Sequence, residues 1–131
     1  MISVSSVRLE DLDHEELTLL VRYCKKCFEP LPFEDLVSRV LSGMACIYRF
    51  TGDCTGIFIL ARGDGGLYIE TVAGEKIVKN FDALYDKIKT TAAACGARAI
   101  YSYVSRPALE RLYERRAKGR RLATLWKEDL L

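Results

Sequence analysis

The sequence predicts a single α/β domain of the α+β kind, built on a mixed sheet, with the element order β-α-α-β-β-β-α-β-α-β. Three observations predict this class. Strand, helix and strand patterns follow one another between residues 67 and 104, three β-rich runs with short glycine turns lie between 44 and 72, and two amphipathic helical patterns lie between 13 and 41. Strands joined through a helix are typically parallel neighbours, whereas strands joined by short turns are antiparallel, so the sheet is expected to be mixed.

Length and composition fit one domain over residues 1–131, because half of the 131 residues are hydrophobic and a chain of this length buries a single core. The net charge of +2 indicates no partner by itself. The sequence has no run of about 18 apolar residues and no basic-then-apolar leader, so neither a membrane span nor a signal peptide is expected. We therefore expect a cytoplasmic protein that does not associate with membranes.

Five cysteines, an odd number, are spread through predicted helices and strands, which favours a reducing compartment over a disulfide framework. Cys24 and Cys27 have the spacing of a metal or redox pair. A zinc site needs four ligands, however, and Cys46, Cys54 and His14 supply no second pair of this kind. Cys24 is therefore interpreted as a core residue of the first helix, and no metal is expected.

Start and stop signals delimit the first two helices. Asp13 and Glu16 form a capping-box pattern at the start of the first helix, and Pro30 ends it. A short second helix over 33–41 is closed by Gly43. The residues expected to face inward are Leu17, Leu20, Val21, Cys24 and Phe28 in the first helix, and Leu36, Val37, Val40 and Leu41 in the second.

The remaining elements follow from periodicity and punctuation. A third helix begins near Asn80 and ends at Gly96, with apolar residues at spacings of three and four between them. A fourth helix starts at Arg106 and Pro107, because proline is favoured in a first helical turn. Strands are predicted over 2–9, 44–50, 57–62, 67–72, 99–104 and 122–128.

This order of elements resembles the fold of the Gcn5-related N-acetyltransferases (GNAT). In that fold two helices follow the first strand, a three-strand meander follows them, and a crossover helix leads to the strand beside which acyl-coenzyme A lies. The resemblance covers essentially the whole chain and consists of element order plus one short motif. It implies acetyl-coenzyme A as the cofactor of an active member, held where backbone amides, glycine and the positive end of a helix attract a pyrophosphate.

The segment at the coenzyme position is Val72-Ala73-Gly74-Glu75-Lys76-Ile77-Val78-Lys79-Asn80. In active members of the family this segment is rich in arginine and glycine. Here it holds one glycine and no arginine, and Glu75 adds a negative charge that the two lysines only partly offset. These departures favour a chain that binds no cofactor. If the protein is active, the resemblance implies acetyl-coenzyme A bound by Val72, Gly74, Lys76, Lys79 and Asn80.

By the same resemblance, Glu70 in the fourth strand is the candidate general base and Tyr113 in the last helix the candidate general acid, if the protein is active. Leu112 and Tyr113 match the end of the family motif, but Arg106 stands where the motif has asparagine and Leu109 where it has a small residue. Both candidates also have a structural interpretation. Glu70 is then a solvent-facing strand residue, and Tyr113 an aromatic side chain packed between helix and sheet.

Three stretches, LYIETVAGE, SRPALERLYERR and TLWKEDL, are similar to small GNAT-like proteins of tailed bacteriophages. That resemblance implies a fold retained while its catalysis is reduced or lost. It also implies a structural or assembly role in a virion, through contacts with a protein partner or a larger particle. A homo-oligomer is compatible with this interpretation.

A basic cluster supplies a further alternative, a nucleic-acid-binding module. Such a cluster meets phosphates, either of a nucleic acid or of the adenosine end of a coenzyme. The structural alternative is a solvated helix face, in which Glu110 and Glu114 form ion pairs with the basic residues. The cluster consists of Arg106, Arg111, Arg115, Arg116, Lys118, Arg120 and Arg121.

Overall fold

The computed structural model of this chain describes residues 1–26, 31–63, 65–103, 120–122 and 125–130. The helices are α1 (His14–Lys26), α2 (Phe33–Leu41) and α3 (Phe81–Ala94), and a short 3-10 turn covers Leu9–Asp11. The strands are β1 (Ile2–Ser6), β2 (Ala45–Gly52), β3 (Thr55–Gly63), β4 (Gly66–Glu75), β5 (Ala99–Tyr103), β6 (Arg120–Leu122) and β7 (Leu125–Asp129).

The strands of the described residues form one mixed sheet in the order β1-β2-β3-β4-β5-β7-β6. The successive pairs from β1 to β4 are antiparallel, and β4 pairs parallel with β5 after the crossover through α3. β7 is antiparallel to both β5 and β6. The predicted α/β class and mixed sheet are confirmed.

The end of the chain differs from the prediction of one strand over 122–128. Two short strands are present, and Leu122 pairs with Leu125 while Arg120 pairs with Lys127. The sequence does not separate the two strands because positions 123 and 124 carry alanine and threonine, which are not residue types that usually mark a turn. The predicted fourth helix lies outside the described residues.

Helices cover both faces of the sheet, so the interior strand β3 is buried on both sides. Five consecutive residues of β3, from Ile57 to Ala61, are almost inaccessible to solvent. One core, on the α3 side, includes Phe50, Phe58, Leu60, Leu84, Ile88 and Ile100. The other, under α1 and α2, includes Leu20, Cys24, Leu36, Ile47, Ile57 and Ile59. We refer to them as the α3 core and the α1–α2 core.

The capping box at the start of α1 is confirmed. The Asp13 amide donates to Glu16 Oε1 at 2.9 Å, and the Glu16 amide donates to Asp13 Oδ1 at 2.8 Å. Glu16 also accepts two hydrogen bonds from Arg49 of β2, at 2.6 and 2.7 Å, and is only 6% exposed. The first turn of α1 is thereby tied to the sheet by a charged pair.

The orientation of α1 differs from the prediction, because Glu16 lies on its buried side and Leu17 does not. Leu20 and Cys24 are buried as expected, which confirms Cys24 as a core residue. Leu17 and Val21 were expected to face inward, but they are 37% and 39% exposed because the buried stripe runs from Glu16 through Leu20 to Cys24. In α2, Leu36 is buried, whereas Leu41 was wrongly expected inside and is 76% exposed. Phe28 lies outside the described residues. No helix in the described part of the chain is long and apolar enough to cross a bilayer.

Candidate functional site

A β-bulge interrupts β4 at Glu70. Ile69 pairs with Leu60 and Thr71 pairs with Ile59, so Glu70 is the extra residue between two consecutive partners. Cross-strand partners share a face of the sheet, and Ile59 belongs to the α1–α2 core. The bulge therefore places Glu70 and Thr71 on the same face, under α1 and α2. Without the bulge, strict alternation along β4 would place Thr71 on the face opposite to Glu70.

The bulge coincides with the separation of β4 from β5. β4 pairs with β5 only over Leu67–Ile69, whereas it pairs with β3 as far as Glu75. A bulge bends its strand and commonly ends pairing. From Glu70 onward the edge of β4 that faced β5 is therefore no longer paired with that strand. This opening leads along β4 towards the N-terminus of α3.

Two side chains from the helices above the sheet contact Glu70. Tyr23 of α1 donates its hydroxyl to Glu70 Oε2 at 2.8 Å, and Arg39 of α2 donates from Nη2 to Glu70 Oε1 at 2.8 Å. The side chains of Arg39 and Glu70 are 33% and 27% exposed, so the ion pair is partly shielded from water. The hydrogen bond to Glu70 raises the pKa of Arg39, which remains charged. We call Tyr23, Arg39 and Glu70 the Glu70 cluster.

The sequence singled out Glu70 but not Tyr23 or Arg39. Each of the two follows a fully buried leucine, Leu20 or Leu36, by three residues. That spacing places a helical residue beside the buried stripe, and polar residues there can reach inward to a charge on the sheet. The spacing of Tyr23 and Arg39 from the buried leucines is therefore the sequence signal that could have identified them. Glu70 is not simply a solvent-facing residue, since both of its oxygens accept a hydrogen bond from protein.

The segment after the bulge is more regular than expected at the coenzyme position. β4 continues to Glu75, three residues beyond the predicted end, and Gly74 pairs with Gly56 of β3. Gly74 has φ of 151°, and a Cβ built on it would lie 2.0 Å from the carbonyl oxygen of Thr55. The close approach of β3 and β4 therefore requires a glycine here, whether or not a ligand binds.

A short turn connects β4 to α3. Lys76 adopts φ of 61°, in the left-handed region, and both Lys76 and Lys79 are exposed. Asn80 precedes the first helical residue, but its side chain caps none of the helix amides. Instead its Nδ2 donates to the carbonyl oxygens of Lys76, at 2.9 Å, and Asp53, at 3.2 Å. Val72 packs against the α3 core. The amide group of Asn80 is thus engaged in holding the turn.

The other candidate residues are only partly described. Arg120 and Arg121 lie in β6. Tyr113 and the remaining members of the basic cluster lie outside the described residues, namely Arg106, Arg111, Arg115, Arg116 and Lys118. The described residues contain no group of three or more histidine, cysteine or acidic side chains able to hold a metal ion.

Comparison with solved structures identifies the fold. A GNAT-family protein from Desulfovibrio desulfuricans superposes with a TM-score of 0.67 at 13% identity, over 100% of each chain. An acetyltransferase of the GNAT family from Staphylococcus aureus Mu50 gives 0.62 at 12% identity, also over 100% of each chain. The chain has the GNAT fold. The ribosomal-protein-S18-alanine N-acetyltransferase from Escherichia coli gives 0.68 at 12% identity, over 99% of this chain and 94% of its own.

These neighbours share with this chain the GNAT architecture and little of its sequence. Identities of 12 to 13% show the fold alone. No protein-family model matches the chain, and no curated protein matches it. The function must therefore be argued from the residues that the GNAT fold brings together here, which are the Glu70 cluster and the segment between β4 and α3.

Proposed function

We propose that this chain is a GNAT-fold domain that binds a protein partner as a structural or assembly component, of the phage-virion type, without turning over acetyl-coenzyme A. The observation that carries the proposal is the pairing of Glu70 with Arg39 and Tyr23. A general base must direct an oxygen at the proton it removes. Here each oxygen of Glu70 already accepts a hydrogen bond at 2.8 Å, one of them from a guanidinium. This supports a structural role for the carboxylate.

The coenzyme segment supports the same proposal. A pyrophosphate is bound by backbone amides that point at it, in positive surroundings. In this chain Gly74 is used in the packing of β4 against β3, Glu75 contributes a negative charge, and the Asn80 side chain bonds two carbonyl groups. Lys76 and Lys79 are the exposed positive groups of the segment. They supply positive charge, but the segment has no arginine and only one glycine, whereas both residues are frequent at this position in active members of the family.

Thermal unfolding with acetyl-coenzyme A tests the absence of cofactor binding. A ligand at about 100 times its dissociation constant stabilises a protein by roughly 2.7 kcal/mol. We expect no change in the melting temperature at millimolar coenzyme. A saturable increase that is lost in a Lys76→Gln, Lys79→Gln double variant would show that the segment does bind the pyrophosphate, and would contradict the proposal.

Mass spectrometry of purified particles tests the assembly role. In virus particles purified from the source of this chain, we expect the protein to be present at a constant ratio to the other particle proteins. We expect a high-salt wash to leave that ratio unchanged. Recovery of the chain only in the soluble fraction of the lysate, with none in the particles, would rule out the assembly role even if no coenzyme binds.

A second candidate function, acetyl-coenzyme A-dependent N-acetylation, is favoured by one observation. β4 and β5 part at Glu70, which leaves an open strand edge leading to α3. In this alternative Glu70 is the base, Tyr113 the acid, and Val72, Gly74, Lys76, Lys79 and Asn80 contact the coenzyme. Tyr113→Phe should then lower turnover more than affinity, and an unchanged rate would exclude Tyr113 as the acid.

Nucleic-acid binding through the basic cluster, which runs from Arg106 to Arg121, is the third candidate. Binding that depends on phosphate contacts weakens steeply as salt rises. Retention on a heparin or DNA column, with elution only at high salt, would support it. Elution at low salt would exclude it.

A further inference from the structure

Two cysteines from distant parts of the chain lie beside Tyr48 on the α3 face of the sheet. Cys46 and Tyr48 are two residues apart in β2, so their side chains point to the same face. Tyr48 packs against the α3 core, which identifies that face. Cys95 is the residue that ends α3, and its amide donates to the carbonyl oxygens of Thr91 and Ala92 at 3.2 and 3.1 Å.

The hydroxyl group of Tyr48 contacts one of the two thiols and stands beside the other. Its oxygen is 3.4 Å from Cys95 Sγ, and Cys46 is the preceding residue of β2 on the same face of the sheet as Tyr48. The ring of Tyr48 is held by stacking on Phe58, with 5.0 Å between the ring centres and 14° between the planes. Because the ring of Tyr48 is held in place beside Cys46 and its hydroxyl group reaches Cys95, the fold brings Cys46 and Cys95 to the same part of the α3 face.

The two thiols differ from the other described cysteines in accessibility. Cys95 is exposed and Cys46 is partly exposed, whereas Cys24 and Cys54 are 4% and 1% exposed. A thiol must reach solvent to meet an oxidant. Burial also raises the pKa of the Cys54 thiol, which reduces its thiolate fraction further. Among the described cysteines, oxidation is therefore directed to Cys46 and Cys95.

We propose that Cys46 and Cys95 are a reactive thiol pair that a small-molecule disulfide, such as glutathione disulfide, converts into an intramolecular disulfide joining the end of α3 to β2. The exposed Cys95 thiolate attacks the oxidant, and one small thiol leaves with the electron pair of the broken S–S bond. Cys46 then attacks the Cys95 sulfur of the mixed disulfide, and the second small thiol leaves. The protein loses two protons and two electrons, and the oxidant is reduced to two thiols.

Tyr48 assists this chemistry as a hydrogen-bond donor. Burial and the neighbouring thiols raise the pKa of Tyr48, so the hydroxyl group keeps its proton at neutral pH. A hydroxyl group that keeps its proton can donate a hydrogen bond to the sulfur that it contacts, which is Cys95 Sγ. Because the Cys46–Cys95 pair lies on the α3 face, the proposal is independent of the Glu70 cluster on the other face.

Peptide mapping after oxidation of the native, reduced protein tests the pair. Trypsin places each of the two cysteines in its own peptide, residues 40–49 for Cys46 and residues 90–98 for Cys95. After incubation with glutathione disulfide and blocking of the remaining thiols, we expect these two peptides linked to each other. A Cys95 peptide that carries glutathione, with Cys46 recovered as a free, blocked thiol, would overturn the proposal.

Variants and an unfolded control sharpen the result. In Cys46→Ser the mixed disulfide of Cys95 has no partner, so a stable glutathione adduct on residues 90–98 is expected. Oxidation in concentrated urea should yield mixed pairings among all the cysteines. A Cys46–Cys95 link that forms equally well in urea would show that the fold does not bring the thiols together, and would also overturn the proposal. The peptide of the buried Cys54, residues 50–62, is the internal control and should remain unoxidised in the native protein.

Discussion

The partly shielded pair of Arg39 with Glu70 is expected to contribute more to stability than the exposed pairs of this chain. Removing one partner leaves the other charge half-buried with a hydrogen bond unmade. We expect Arg39→Ala to lower the free energy of unfolding by about 1 to 2 kcal/mol, as measured by urea denaturation. Arg8→Ala is the matched control, because Arg8 is 77% exposed in its pairs with Glu10 and Asp11.

The control should change stability by less than about 0.5 kcal/mol, since exposed ion pairs are screened by water. A double-mutant cycle with Glu70→Gln then isolates the interaction energy between Arg39 and Glu70. Equal effects of Arg39→Ala and Arg8→Ala would contradict the view that Arg39 holds Glu70 in a structural role.

Glu16 makes the stability of the protein depend on pH in acid. The hydrogen bonds from Arg49 lower the pKa of Glu16 in the folded state below its ordinary value of 4.5. The pair of Glu16 and Arg49 therefore stabilises the fold at pH values above 4.5. As pH falls, Glu16 becomes protonated in the unfolded chain before it does in the folded protein. The stabilisation is therefore lost as pH falls through the folded-state pKa of Glu16. Wild type should lose stability between about pH 5 and pH 3 more steeply than Glu16→Gln.

Melting temperatures measured across this range check the expectation. The advantage of wild type over Glu16→Gln should be largest near neutral pH and should shrink towards pH 3. A constant difference between the two proteins at every pH would show that the charge of Glu16 contributes nothing, and that the substitution acts through packing alone.

Among the elements, the β3–β4 pair explains Gly74 without a ligand. A Cβ on Gly74 would lie 2.0 Å from Thr55 O and 2.6 Å from the Cα of Gly56, both of which belong to the backbone. Gly74→Ala should therefore cost at least about 2 kcal/mol of stability. Gly43→Ala is the matched control, because Gly43 also has a positive φ, 80°, but a Cβ there would meet nothing within 4 Å.

The control should cost only about 1 kcal/mol, the strain of a left-handed alanine. Urea denaturation of both variants distinguishes the outcomes. A fully stable Gly74→Ala protein would contradict the packing role and would point back to a glycine kept for the approach of a ligand.

Local signals in the sequence were enough for most of the elements but not for their orientation. The capping box of Asp13 and Glu16 predicted where α1 begins, because both partners lie within one turn. The orientation that exposes Leu17 and Val21 places Glu16 against Arg49, which is 33 residues further along the chain, and no local pattern contains that contact. The bulge at Glu70 is likewise defined by its partner Ile59 on β3, and the helical neighbours of Glu70 come from α1 and α2.

In the whole molecule, β3 couples the α1–α2 core to the α3 core. Phe58 points into the α3 core and its neighbour Ile59 into the α1–α2 core, and both are fully buried. Phe58→Leu removes ring contacts from one core and should cost about 1 to 2 kcal/mol. If the domain unfolds as one unit, the slowest-exchanging amides of α1 and of α3 should lose equal protection.

Native-state hydrogen exchange measures both helices in one experiment. A loss of protection confined to α3 would show that the two faces of the sheet unfold separately, and would contradict the coupling through β3. Ile59→Val, which trims the α1–α2 core instead, is the complementary variant and should reduce protection on both faces in the same way.

Patterns within short stretches of the chain specify its class, its helices and its strands, because hydrophobic periodicity, capping residues and glycine turns act between neighbours. They also exposed the unusual segment between β4 and α3, since charge and glycine content are properties of composition. Contacts between distant residues specify the features that bear on chemistry: which face Thr71 occupies, what holds Glu70, why Gly74 is a glycine, and how Tyr48 contacts Cys95. Those contacts exist only after the strands have paired and the helices have packed, so a linear pattern cannot contain them.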